Sequence, residues 1–296
     1  GGGDTKTPMV INSLMNLANV FGNFLLIYPS RQISLFGVSF YMWGAGMGVS
    51  GAALATSLST VVGAALLART MLSGRSGISL APEPNFKPDW PTLGLVFSIS
   101  LPAAGERLVM SVGQLVSTRI VSSLGTMALA AHHISIVAEG LCYMPTMGFS
   151  AAATTLTGQS LGAGREDLTD SLSKECIRVS FWFMTVMGGL LYLAAPWLSR
   201  FFTQDLQVIA LATMCLRITA FSEPFAGISM TTTGVLRGAG DTKWPFIVVL
   251  VSMWGVRIVL AYVLCVLFSY GLGAIWLCMV FDFAVRSAII YWRYRG

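Results

Sequence analysis

Eight stretches of about twenty or more mostly apolar residues run through this chain, at 8–28, 48–69, 91–123, 127–161, 177–198, 206–235, 245–268 and 272–292. About 20 helical residues cross a hydrocarbon core, and lipid offers nothing to an unpaired backbone amide, so each stretch is expected to be a transmembrane helix. Composition points the same way: of 296 residues, 55% are hydrophobic and only 10% charged, against about 25% charged in a soluble domain. Too few polar side chains remain to coat a water-soluble surface. That excludes most soluble enzymes and nucleic-acid readers, and no nucleic-acid partner is expected. Residues 29–43 are short and mixed in character and read as an interfacial or loop segment. A polar linker is expected at 73–90, where Pro82, Pro84 and Pro88 break any helix.

The basic residues are distributed unevenly about these spans. Lys6, Arg69, Arg75, Lys87, Arg165, Lys174, Arg178, Arg237, Lys243, Arg293 and Arg295 fall on or near the side where the chain begins, and only Arg31 and Arg200 on the other. Short cytoplasmic loops carry the excess of Lys and Arg, so both chain ends are expected in the cytoplasm of a plasma membrane of the prokaryotic inner-membrane type. The net charge of +5 is then mainly an orientation signal. Five cysteines without a CxxC pair and two adjacent histidines, His132 and His133, fit no metal cage or disulfide framework. No metal or cofactor is expected.

One motif occurs twice. Gly3-Asp4-Thr5-Lys6-Thr7-Pro8 opens the first span, and Gly240-Asp241-Thr242-Lys243-Trp244-Pro245 opens the seventh. Six crossings separate the copies, so both face the same way, as in a parallel repeat of six helices. The fold expected is an all-α polytopic membrane protein of about eight helices. Residues 1–72 would be the last two helices of a first lobe, 73–90 an inter-lobe cytoplasmic linker, and 91–296 a complete second lobe. The start in mid-motif leads to the expectation that four helices precede. Asp4, Lys6, Pro8, Arg237, Asp241, Lys243 and Pro245 are read as structural, since Asp can bond freed amides and Pro suits a first helical turn.

Three segments resemble the multidrug and toxic compound extrusion (MATE) family. They are Leu236-Arg237-Gly238-Ala239-Gly240-Asp241-Thr242-Lys243 with its companion copy, the run from Leu129-Ala130-Ala131-His132 through Met144-Pro145, Gly148 and Ala151-Ala152, and Gly158-Gln159-Ser160-Leu161-Gly162-Ala163-Gly164. The resemblance implies twelve helices in two six-helix lobes, with a central cavity opening alternately to either side. This chain would supply helices five to twelve. Sodium-coupled members of the family place second-lobe acids nearer Met110 and Ala226, which are uncharged here. Many members also depend on an acid in the first helix of the first lobe.

A charge at the centre of a membrane helix costs about 2.5–3.5 kcal/mol on insertion scales and asks for a reason. Glu106 follows Pro102 by four residues and Glu223 precedes Pro224; these two are the candidates for binding a coupling proton or sodium ion, with a buried ion pair as the other reading of Glu106. Gln114 is expected to share a face with Glu106, and Glu139 to line a polar wall or make an interhelical hydrogen bond. Asp282 and Arg286, at i and i+4, read as a structural pair. Met144, Met147, Phe149, Phe225 and Met230 lie near helix breaks and are candidate walls for an apolar cation. The expected function is a secondary transporter, not an enzyme, exporting small organic and often cationic compounds by antiport with H+ or Na+. It would work in the lipid bilayer, as a monomer when full length. The alternative is a flippase for lipid-linked oligosaccharides, with a cavity richer in arginine. A membrane-embedded enzyme would need clustered acids or histidines, and Glu166, Asp167, Asp170 and Glu175 show no such pattern.

Overall fold

A computed structural model describes residues 4, 6–35, 38–73, 89–268 and 270–295. The linker expected at 73–90 lies outside the described residues apart from Ser73, Asp89 and Trp90. The chain divides into two compact units, Gly1–Lys87 and Pro88–Gly296. Seven described helices are long and apolar enough to span a membrane, or eight when one bent pair counts as a single span.

In the first unit α1 (Lys6–Leu26) packs against α2 (Gly48–Leu72). The buried residues of α2 are Gly51, Ala55, Ser59 and Gly63. This four-residue stripe of small side chains lets the two backbones approach, which is how helices associate where lipid removes the hydrophobic drive. Asn19 of α1 reaches across to the hydroxyls of Thr56 and Ser59 at 3.1 and 3.3 Å. Between the helices, β1 (Pro29–Leu35) and β2 (Val38–Ala45) form an antiparallel hairpin, with Leu35 opposite Val38 and Ile33 opposite Phe40. The hairpin replaces the irregular segment expected at 29–43 and is the one departure from an all-α fold among the described residues. Its sequence alternates too weakly to announce strands, and pairing supplies the backbone partners that a loop would need.

The second unit runs through α3 (Trp90–Ser122), α4 (Thr126–Gly162), α5 (Glu166–Phe202), α6 (Leu206–Ala220) and α7 (Glu223–Gly238). It then continues through α8 (Lys243–Leu250), a wide π-helical segment (Val251–Ile258), α9 (Val259–Tyr262), a second wide segment (Val263–Leu267) and α10 (Leu272–Arg295). Its main core gathers Val121, Ala131, Ala212, Cys215, Ala261, Ile275 and Trp276. The five cysteines are unpaired, and four of them are buried packing residues. Pro224 breaks the expected span 206–235 into α6 and α7, bent by 53°.

Two devices hold this unit together. Helix α7 lies on α4 through Gly234 and Gly238, where an added Cβ would come 2.3 Å from the Ser150 carbonyl oxygen and 2.5 Å from that of Thr154. Thr154 seals the seam, its hydroxyl donating to the Gly234 carbonyl at 2.9 Å. At the far end of α7 the repeated motif becomes a clasp. Arg237 bonds Glu106 of α3 at 2.6 Å, and Asp241 bonds Arg293 of α10 at 3.1 Å. Asp241 also accepts the Trp244 amide, as Asp4 accepts that of Thr7 in the first copy, at 3.2 and 3.1 Å. Bonds from the Thr7 side chain and then its amide hold the Asp4 carboxyl below its ordinary range. The chain can turn between Arg237 and Asp241 because Gly240 takes φ +84°.

A valine at Gly234 has no room, so Gly234→Val should cost about 1–3 kcal/mol and lower the thermal unfolding midpoint in detergent. Gly189→Ala, where a Cβ meets nothing within 4 Å, should leave the midpoint nearly unchanged. For the clasp, a double-mutant cycle of Glu106→Gln and Arg237→Gln should show a coupling of about 1 kcal/mol or more. Additive losses would mean the pair holds nothing.

Candidate functional site

The bend between α6 and α7 exposes backbone in the middle of the lobe. Pro224 has no N–H, so α6 closes on tightened bonds, the Phe221 and Ser222 amides donating to Ile218 and Thr219 at 3.2 and 2.7 Å. The Ser222 hydroxyl donates to the Thr219 carbonyl as well, at 2.7 Å. Helix α5 covers the break at Gly188, where a Cβ would stand 2.6 Å from the Ala220 carbonyl oxygen. Glu223 is therefore the first residue of a helix whose start is sealed inside protein. It is 1% exposed, and neither carboxylate oxygen has a hydrogen-bond partner among the described residues. The positive end of α7 offsets part of its charge.

Next to it stands Glu139 of α4, whose Oε1 accepts from the Thr219 hydroxyl at 3.3 Å. The two carboxylates are close enough to repel each other. The Thr219 hydroxyl also lies 3.2 Å from that of Ser222, the residue before Glu223. Glu139 in turn faces an open cavity of about 640 Å³ bordered by α3, α4, the wide segment Val251–Ile258 and α10. Met110, Met253, Met279, Tyr143 and Phe283 supply its apolar walls, and Gln114, His132, Glu139, Arg257 and Arg286 its polar ones. Arg286 is already engaged, donating twice to Asp282 at 2.9 and 3.1 Å and once to Ser252 at 3.1 Å. The structural reading of that pair thus has its geometry. Arg257 reaches the cavity from a wide turn, which swings its side chain out of the phase that regular helix would give it.

The expected site residues separate into two places. Gln114 and Glu139 line the cavity, and Glu223 stands behind Glu139. Glu106 instead occupies the clasp with Arg237, fourteen residues and so about 20 Å along α7 from Glu223. Glu106 and Gln114, eight residues apart on α3, do not border the cavity together: Gln114 lines it, and Glu106 is bonded to Arg237. None of the aromatic and methionine candidates borders this cavity. Met144 is 73% and Met147 48% exposed, Phe225 faces outward at the bend, Met230 is half-buried on α7, and Phe149 packs on Phe183 at 5.3 Å. On α4 the inward face carries His132, Ile136, Glu139 and Tyr143, and Met144 is turned about 140° from Glu139. The signals overlooked were the hydroxyls Thr219 and Ser222 ahead of a proline.

Comparison with known proteins fits this architecture. The MatE family model matches residues 102–263. A probable multidrug resistance protein NorM of Thermotoga maritima is 33% identical over 294 residues, covering 98% of this chain and 60% of that protein. The uncharacterized transporter YisQ of Bacillus subtilis is 27% identical over 99% of this chain and 62% of its own length. The chain thus spans about three fifths of the curated relatives it matches. Among solved structures, a MATE in the bent conformation superposes with a TM-score of 0.83 at 21% identity over 97% of this chain and 61% of that one. A Pyrococcus furiosus transporter of the MOP superfamily, described as having a binding pocket of reversed polarity, does so at 0.85 and 20% over 97% and 61%. At such identity these likenesses establish the fold. With the family model matching more than half of its length, the chain belongs to the MatE family, and it is an integral membrane protein.

Proposed function

We propose that this chain is the part of an ion-coupled exporter in which Glu223 and Glu139 bind the coupling proton or sodium ion, and that the cavity they border receives a small organic compound. One observation carries the reading. Two buried acids reach the same broken helix, one of them with neither oxygen hydrogen-bonded among the described residues and the other opening on the cavity. Two carboxylates in a low dielectric repel strongly, and a bound cation relieves that repulsion. A cationic group arriving from the cavity competes with the ion for the same charge. Binding of one then releases the other, which is the condition for exchange across an alternating cavity. The names of the relatives, multidrug resistance protein among them, agree with drugs or toxic compounds as cargo. Glu106, satisfied by Arg237, is assigned to holding α3 against α7. A flippase for oligosaccharide lipids is less well served, since one of the two cavity arginines is neutralised by Asp282.

The test uses membrane vesicles carrying the full product of the gene, an imposed proton or sodium gradient and a fluorescent organic cation. Glu223→Gln and Glu139→Gln should each reduce gradient-driven transport to background, while Glu106→Gln, normalised for protein in the membrane, should retain it. Transport that survives both glutamine substitutions together, or the collapse of both gradients, would overturn the proposal.

A further inference from the structure

Away from the cavity, Arg200 near the end of α5 and Arg217 on α6 are exposed, and neither makes an ion pair or a hydrogen bond among the described residues. The Arg217 guanidinium lies over the ring of Tyr192, 5.1 Å from its centroid. Both arginines border an open groove of about 600 Å³ between α5 and α6, whose apolar lining includes Met214, Ile218 and Phe221. The acid between them in sequence, Asp205, caps α6 by accepting from the Gln207 and Val208 amides. The groove lies beside the lipid-facing surface of α5, where Leu190, Leu193, Trp197 and Phe201 are all more than half exposed. Trp197 and Arg200 stand within two turns of the end of α5 at Phe202, the level at which tryptophan and long basic side chains anchor to headgroups. The Ser199 and Thr213 hydroxyls, 3.3 Å apart, put those residues at one depth, and Arg217 follows Thr213 by one turn. The two arginines therefore enter the groove from neighbouring helices about 6 Å apart in depth. A charge within a span is costly there unless something answers it.

We infer that Arg200 and Arg217 hold the phosphodiester of an anionic glycerophospholipid whose acyl chains run along the groove. The planar fork of guanidinium donors suits phosphate oxygens, and two open guanidinium groups favour a headgroup with net negative charge. A zwitterionic lipid would bring its own ammonium against the same two cations, so the headgroup is of the phosphatidylglycerol kind, in which the remaining groups are hydroxyls. A soluble anion would answer the charge but leave Met214, Ile218 and Phe221 uncovered, whereas acyl chains cover them. The stem of Arg217 is long enough to leave the Tyr192 ring and swing toward a headgroup. The groove reaches Phe221, which closes α6 just ahead of the break at Pro224. A lipid seated there braces the half of the bent span that leads to Glu223. The inference stands on the lipid-facing surface and does not depend on the transport reading.

The experiment places the full product of the gene in phosphatidylcholine bilayers that contain a small fraction of a photoactivatable lipid, either phosphatidylglycerol or phosphatidylcholine with the same diazirine-bearing acyl chain. Crosslinks are mapped by mass spectrometry to the peptides of residues 190–221, which form the groove. Labelling there should favour phosphatidylglycerol about tenfold, the range of a charge-assisted hydrogen bond. Arg200→Gln and Arg217→Gln should each lower the preference about threefold, and together bring it close to one; replacing both by lysine should keep part of it. Arg31→Gln, which removes a basic residue of the other unit, should leave the preference unchanged and so separates the groove from general surface charge. Excess glycerol phosphate, the headgroup chemistry without tails, should not displace the label. Equal labelling by the two lipids, a preference that survives both glutamine substitutions together, its loss on Arg31→Gln, or displacement by glycerol phosphate would overturn the lipid site. If the double glutamine variant fails to fold, the two single substitutions of these exposed residues decide the matter, and a preference unchanged in both overturns the site.

Discussion

Every helical hydrogen bond given up inside a membrane has to be replaced from within the protein, and the second unit is organised around two places where that happens. At Pro224 the missing N–H frees the end of α6, and the repair draws in Thr219, Ser222 and the backbone of α5 at Gly188. Over Val251–Ile258 the helix widens, with the same effect on side-chain direction. The buried charges of the cavity region follow from these two repairs. Glu223 is the first residue beyond one break, and Arg257 projects from the other. Glu139 comes from the uninterrupted α4, on a face that both breaks approach.

A buried acid is tolerable when something answers its charge, and this chain answers its acids in different ways. Asp282 is closed by Arg286 within one helix, and Glu106 by Arg237 from another. Those pairs are satisfied, so removing one partner harms the fold first. Glu223 and Glu139 make no ion pair among the described residues; the start of α7 answers part of the one charge, and Arg257 at a distance and the Thr219 hydroxyl part of the other. The contrast separates acids closed by an arginine from acids that make no ion pair among the described residues. Position in the membrane would not have separated them.

Much of this was legible in the residues. Span lengths follow from bilayer thickness, the break at Pro224 from proline chemistry, and the capping role of Asp4 and Asp241 from a motif repeated at equal phase. What could not be read was which helix stands opposite. Glu106 meets an arginine 131 residues away, and no local pattern names it. The hairpin Pro29–Ala45 carries too little alternation to declare itself, and the wide turn around Arg257 has no proline or glycine run to mark it. Met144 and Met147 lie beside Pro145, but their helix presents Glu139 and Tyr143 to the cavity.

The seam between α4 and α7 has a mechanical consequence. Where glycine lets carbonyl and backbone touch directly, with Thr154 bonded across, no layer of side chains remains to shear or repack. The two helices behave as riveted plates, and rotation of either carries the other with it. Any flexing of this lobe is left to the members without such rivets, chiefly α3 and the wide-turned stretch from Val251 to Leu267, and it is those that border the cavity.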